Sequence, residues 1–281
     1  MDAPEIFSRT ARRLRRDRIA AAYPDHAFLR DAMLDGLAER LGQVSRSFSD
    51  VLDLGCFDRA FRPPPGARVA RLDPGFGFAR AAGGVQGDED RLPFADASFD
   101  LVVSAGVLDQ VNDLPGALAL VRRALRPDGL FLGAFLGGRS LSTLKRVLRE
   151  AEPDRPAARV HPMVELRSAG DLLQRAGLAL PVADVETLTA RYSGLGRLLD
   201  DLRGMGAANL LRDRTPMTRA SLARAARLFA EAADPDGRTP ERFDILFVTG
   251  WSPAASQPKP ARRGSGRASL ADALKRFPER P

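Results

Sequence analysis

The sequence predicts an α/β protein: a Rossmann-like, seven-stranded, mostly parallel sheet, preceded by a helical lid and carrying a helical insert before its last strand. Three observations lead there. Val51-Leu52-Asp53-Leu54-Gly55 is an apolar run that stops at a glycine. Phe99–Ser104 is almost wholly apolar, as a strand covered on both faces must be. Strand-like runs alternate with helix-length stretches, the pattern of parallel strands joined by crossover helices.

In chain order, residues 5–42 read as helix interrupted at Pro24, with Ile6, Leu14, Ile19, Leu29, Met33, Leu37 and Leu41 as its apolar positions. Val51–Gly55 is the first strand, and Pro63-Pro64-Pro65 enforces a loop. Arg68–Asp73 is the second strand, stopped by Pro74-Gly75, and Val85–Asp88 is a short third. After Phe99–Ser104, a helix shows Leu114, Leu118, Val121 and Leu125 on one stripe. Pro127-Asp128-Gly129 ends it, and Leu130–Phe135 is the fifth strand. Helices follow at Leu141–Glu150 and Ala169–Ala176, the second stopped by Gly177. Leu180–Tyr192 is the sixth strand; helices at Leu195–Met205 and Ser221–Ala233, the latter with Leu222, Ala225 and Phe229 on one face, precede the last strand, Phe243–Trp251. The expected organisation is a lid over 1–48, the main domain over 49–251 with its insert at about 193–242, and a loosely packed basic tail over 252–281 with a short helix near Leu270–Phe277.

Composition excludes several classes of function. Hydrophobic residues make up 44% of the 281, enough for a full core, yet no apolar run approaches the ~20 residues of a membrane-spanning helix. Cys56 is the only cysteine, so an intrachain disulfide and a cysteine zinc site are ruled out and a reducing cytoplasm is expected. His26 and His161 are the only histidines, and no metal is predicted. An iron site of two histidines and a carboxylate would need both, far apart in sequence. The acids Asp2, Glu5 and Asp17 argue against a mitochondrial transit peptide. The net charge of +7 lies at the ends: residues 1–18 hold six Arg against three acids, and residues 259–281 hold seven bases against Asp272 and Glu279. These ends are either solvated or contact an acidic partner or the inner membrane surface. They lack the interleaved aromatics of a nucleic-acid face.

In such a sheet, ligands bind outside the carboxyl ends of the strands where the strand order reverses. That rule brings Asp53–Phe57, Asp73, Asp88–Asp90 and Ser104–Gln110 around one crevice. Gly55 lets the backbone approach a ligand; Asp73 is placed to accept from ribose hydroxyls, and Asp88 and Glu89 to meet an adenine amino group. A nicotinamide dinucleotide needs a Gly-x-Gly-x-x-Gly cradle for its pyrophosphate, and the turn after the first strand has one glycine. A sulfonium cofactor needs no cradle, so S-adenosylmethionine (SAM) is the better fit.

Phe99–Ser104, Val111-Asn112-Asp113-Leu114-Pro115, Arg126-Pro127-Asp128-Gly129 and Gly137-Gly138 resemble class I SAM-dependent methyltransferases. Asp201-Leu202-Arg203-Gly204-Met205-Gly206-Ala207-Ala208-Asn209, Gly250-Trp251, Ser256-Gln257, Gly264-Ser265 and Ser269-Leu270 narrow the resemblance to the methyltransferase-like assembly factor of mitochondrial respiratory complex I and its bacterial relatives. The malonyl-acyl-carrier-protein methyltransferase of biotin synthesis is a more distant likeness. The resemblance implies SAM as cofactor, a complex I subunit as protein partner, and either methyl transfer or, as for the mitochondrial member, arginine hydroxylation. The cofactor positions are then Asp53, Gly55, Asp73, Asp88, Glu89 and Ser104. Two departures stand out. Phe57 replaces the second glycine of the first motif, where its ring can stack on, avoid or block the cofactor. Asp109-Gln110 replaces an aromatic pair on the substrate side. A chaperone that has lost the cofactor is the third reading, and Phe57 is its support. Asp109 is a candidate general base or a helix-end carboxylate. Cys56 is read as a core residue, His161 as a surface residue, and Met205 and Tyr192 as packing.

Overall fold

The computed structural model describes residues 5–155, 157–258 and 269. Leu270–Phe277, where a short helix is expected, lies outside the described residues.

Three segments precede the sheet: α1 (Arg9–Ile19), a 3-10 turn over Tyr23–His26, and α2 (Phe28–Gly42). Ser8 caps α1 by accepting from the Ala11 N–H, and Pro24 sits at the start of the 3-10 turn. The strand β1 (Asp50–Leu54) is followed by β2 (Arg68–Asp73), α3 (Phe76–Ala82) and β3 (Val85–Gln86). Next come β4 (Phe99–Ala105), α4 (Leu114–Ala124), β5 (Leu125–Gly137), α5 (Ser142–Ala151) and α6 (Leu166–Arg175). The chain closes with β6 (Ala179–Tyr192), α7 (Leu195–Gly204), α8 (Arg219–Glu231) and β7 (Thr239–Trp251).

The seven strands form one sheet in the order β3-β2-β1-β4-β5-β7-β6. The first five pair in parallel, and β7 runs antiparallel to both β5 and β6. The predicted architecture is therefore present, with α7 and α8 filling the insert before the last strand. Alternation along the strands builds a core on each face. Val102, Phe131, Leu246 and Val248 pack on one side with α4 and α6; Leu101, Val103, Ile245 and Phe247 pack on the other with α2, α5, α7 and α8. Gly36 brings α2 onto the sheet, because a Cβ there would lie 2.5 Å from the Phe247 ring.

Three expectations need correction. The fifth strand begins at Leu125 and runs through Pro127-Asp128-Gly129. Asp128 takes φ +64°, and the N–H groups of Asp128 and Ser252 reach across to the carbonyls of Ser252 and Gly129. The turn residues thus make an irregularity inside a strand, not a stop before one. The third strand is only Val85–Gln86, so Asp88 lies in the loop beyond it. Leu222 is 42% exposed; Ala225 and Phe229 alone of the predicted face are buried in α8.

The largest reversal is in α1. Its apolar Leu14 is 51% exposed, while Arg12 and Arg16 are 4% and 2% exposed. Arg12 and Arg16 are the buried positions of α1, with the half-buried Arg9 and the exposed Arg13 beside them, so the inward face of this helix is cationic.

Candidate functional site

The strand order reverses between β1 and β4, and the crevice above that point is where the predicted positions meet. Gly55 ends β1 at φ +81°, and a Cβ there would lie 2.5 Å from Val107. Glycine is required on both counts. Asp73 closes β2, fully buried, with its oxygens accepting from the N–H groups of Phe57 (3.0 Å) and Gly75 (2.8 Å).

The remaining capacity of these acids goes to α1. Arg16 donates to Asp73 at 2.8 and 2.5 Å. Arg12 makes a second two-pronged pair with Glu89, at 2.6 and 2.8 Å. Arg13 reaches Asp88 at 2.7 Å and Arg9 reaches Asp90 at 2.6 and 2.7 Å. Such paired, charge-assisted contacts are geometrically specific. Four of the six arginines in residues 1–18, Arg9, Arg12, Arg13 and Arg16, thus pair with acids of the fold.

Phe57 takes φ +44° and is buried. Tyr23 stacks on its ring at 4.8 Å, and the guanidinium of Arg16 lies over it at 3.7 Å. Arg30 approaches at 4.8 Å while donating to Asp58 and the Cys56 carbonyl. The ring neither turns away nor waits for a cofactor: it is part of an aromatic and cationic stack filling the crevice.

Asp53 and Ser104 lie within their strands, buried at 1% and 0% exposure. The Asp53 Oδ2, the Ser104 Oγ and the Asp88 Oδ1 have no hydrogen-bond partner. Burial pushes the Asp53 carboxyl up to about 6. The folded state thus holds this proton more tightly than the unfolded chain, and the stability it contributes is lost as pH rises from about 4 through about 6. Asp53→Asn is expected to stabilise the protein at pH 7.5 by on the order of 2 kcal/mol, with no gain at pH 4. Urea unfolding at the two pH values checks this; an equal shift at both would mean that the Asp53 carboxyl titrates alike in the folded and the unfolded chain.

Asp109 and Gln110 lie in a 3-10 turn over Leu108–Gln110. They border a cavity of about 30 Å³ shared with Tyr23, Arg30, Phe57 and Met205, room for about one water molecule. Burial pushes the Asp109 carboxyl up to about 6. Tyr23, Arg12, Arg16 and Arg30 were not foreseen. The signal for Arg12 and Arg16 was available as arginines at helical spacing facing acids at and beyond the strand ends.

Other residues settle into structural roles. His161 is buried, not on the surface: its Nε2 accepts from the Leu210 N–H, its ring meets Phe7, and burial lowers its pKa to about 4. His26 pairs with Asp201 at 3.0 Å, so the two histidines serve different contacts. Burial pushes the Cys56 thiol up to about 12, which leaves it a core residue. Tyr192 packs in the core beside α7 and α8. Asn112 fixes the N-terminal segment by exchanging hydrogen bonds with the Phe7 backbone at 2.7 and 3.1 Å.

A methyltransferase-domain family model matches residues 52–133. The YcgJ protein of Bacillus subtilis has the same fold, with a TM-score of 0.54 at 17% identity over 80% of this chain and all of that one. The arginine-hydroxylase NDUFAF5 of Danio rerio mitochondria is 32% identical over 96% of this chain and 90% of its own length. The chain belongs to the NDUFAF5 family. A malonyl-[acyl-carrier protein] O-methyltransferase of Laribacter hongkongensis is 31% identical over 85% of this chain and 88% of that protein. The NDUFAF5 family thus falls within the SAM-dependent methyltransferases by domain and fold, and SAM is the cofactor of that class. Its fit to this site can be judged from the donors and acceptors present. The residue types suit a nucleoside, and unpartnered oxygens remain at Asp53, Asp88 and Ser104. The arrangement does not: both oxygens of Asp73 and of Glu89 are held by guanidinium groups, and Phe57 fills the space beside them. SAM does not fit the crevice while α1 is docked.

Proposed function

We propose that this protein modifies a protein partner during assembly of respiratory complex I, with Asp109 as the group that takes a proton from the incoming nucleophile. The observation that carries the reading is the cavity at Asp109. Burial holds its carboxyl near 6, so it is ionised and able to accept a proton near neutral pH. The cavity is bounded by both helical additions, through Tyr23 and Arg30 before the sheet and Met205 and Ala207 in the insert. At about 30 Å³ it admits no free metabolite in this state. A side chain presented by a docked polypeptide, once the helical additions part, is the substrate class that such a boundary suits.

The arginine-hydroxylase activity of the NDUFAF5 relatives favours a second reading, hydroxylation of an arginine on that partner. Mass spectrometry of partner subunits from cells with and without this gene separates the readings. Methyl transfer adds about 14 Da per site and hydroxylation about 16 Da. The expected result is a methyl-sized addition that disappears with the gene. A partner that is unmodified in both strains, yet fails to assemble without this protein, would replace the enzyme with a chaperone.

A further inference from the structure

We infer that α1 and SAM compete for one site: the arginine stripe of α1 occupies the nucleoside recess, and the cofactor enters only as the helix leaves. The acids that a nucleoside would need are the acids that α1 holds. Arg16 takes Asp73 at the tip of β2, and Arg12 takes Glu89 in the loop after β3. The Arg16 guanidinium also lies 3.7 Å over the Phe57 ring, where a purine or ribose would otherwise make contact. Three buried oxygens, on Asp53, Asp88 and Ser104, accept no hydrogen bond, although Arg71 lies 3.8 Å from the Asp53 oxygen, so the helix satisfies these acids only in part.

The way α1 is held suits it to exchange. Its apolar Leu14 points to solvent, and its hydrophobic packing is confined to Ala11 near one end and Ile19 with the flanking Ala20 at the other. Its docking rests mainly on buried ion pairs, whose attraction is largely offset by the cost of stripping water from both charges. A ligand that supplied hydroxyl and amino donors to the same carboxylates would release four guanidinium groups back to water.

A disulfide staple tests the competition directly. An ideal Cβ at Gly77 lies 3.2 Å from the Cβ of Ala20 at the end of α1, close to the ~3.8 Å typical of a disulfide. The buried Cys56 is the only native thiol. In the full-length Ala20→Cys/Gly77→Cys variant, SAM binding by calorimetry is expected to weaken at least tenfold on oxidation and to recover on reduction. Equal affinity in both states would overturn the inference. So would an absence of binding by the reduced form at about 1 mM SAM, since the recess would then not be a cofactor site. A second readout uses the wild-type protein: amide exchange within residues 9–19 should accelerate when SAM is added. SAM binding with unchanged protection there would equally overturn the inference. Neither measurement reads modification of a partner, so their failure leaves the proposed protein substrate standing.

Discussion

Arg16→Ala is expected to destabilise the protein by about 3–5 kcal/mol in urea unfolding at neutral pH. Arg16 and Asp73 are 2% and 0% exposed, and removing the guanidinium leaves a carboxylate without its charge partner in a dry site. The companion variant Asp73→Asn should cost less. The amide oxygen still accepts from the Phe57 or Gly75 N–H, and the freed Arg16 can keep its contact with the Phe57 ring or extend to water. This asymmetry separates a buried pair from a solvated one, for which both losses would fall to about 1 kcal/mol or below. A small loss for Arg16→Ala with faster proteolysis at α1 would show that water replaces the helix at little cost.

The second large effect concerns chemistry. If Asp109 takes the nucleophile's proton, Asp109→Asn should lower modification of the partner by about 10²–10⁴-fold without changing the unfolding midpoint by more than a few degrees. The wild-type rate should rise with pH through about 6, where Asp109 loses its proton, and level off above it. A rate that falls across that interval would assign Asp109 the role of acid. Wild-type activity in the asparagine variant would leave only the helix-end role considered for this residue.

The sheet was legible because strands buried on both faces read as nearly continuous apolar runs, as Leu101–Val103 does in the parallel part and Ile245–Val248 does within the antiparallel β7. The positions of Gly55 and Asp73 followed from the strand ends. What the sequence did not reveal was the use made of them. Reading helices by their apolar positions places Leu14 inside and the arginines outside, and α1 does the opposite because four acids await it at strand tips that are remote in sequence. The Pro-Asp-Gly turn misled for a related reason: local turn chemistry was overridden by pairing with Ser252 beyond the last strand. His161 read as a surface residue because nothing local announces that the Leu210 N–H will need an acceptor.

The cationic helix also governs how this molecule looks from outside. With α1 in place, Arg9, Arg12, Arg13 and Arg16 offset Asp90, Glu89, Asp88 and Asp73 one for one, so these eight charges cancel in pairs. On the inferred departure of the helix, those four acids lose their α1 partners, and the end becomes more negative, which would draw a sulfonium toward it. The molecule therefore carries a latent electric polarity, silent in the closed form and switched on by the very motion that uncovers the recess.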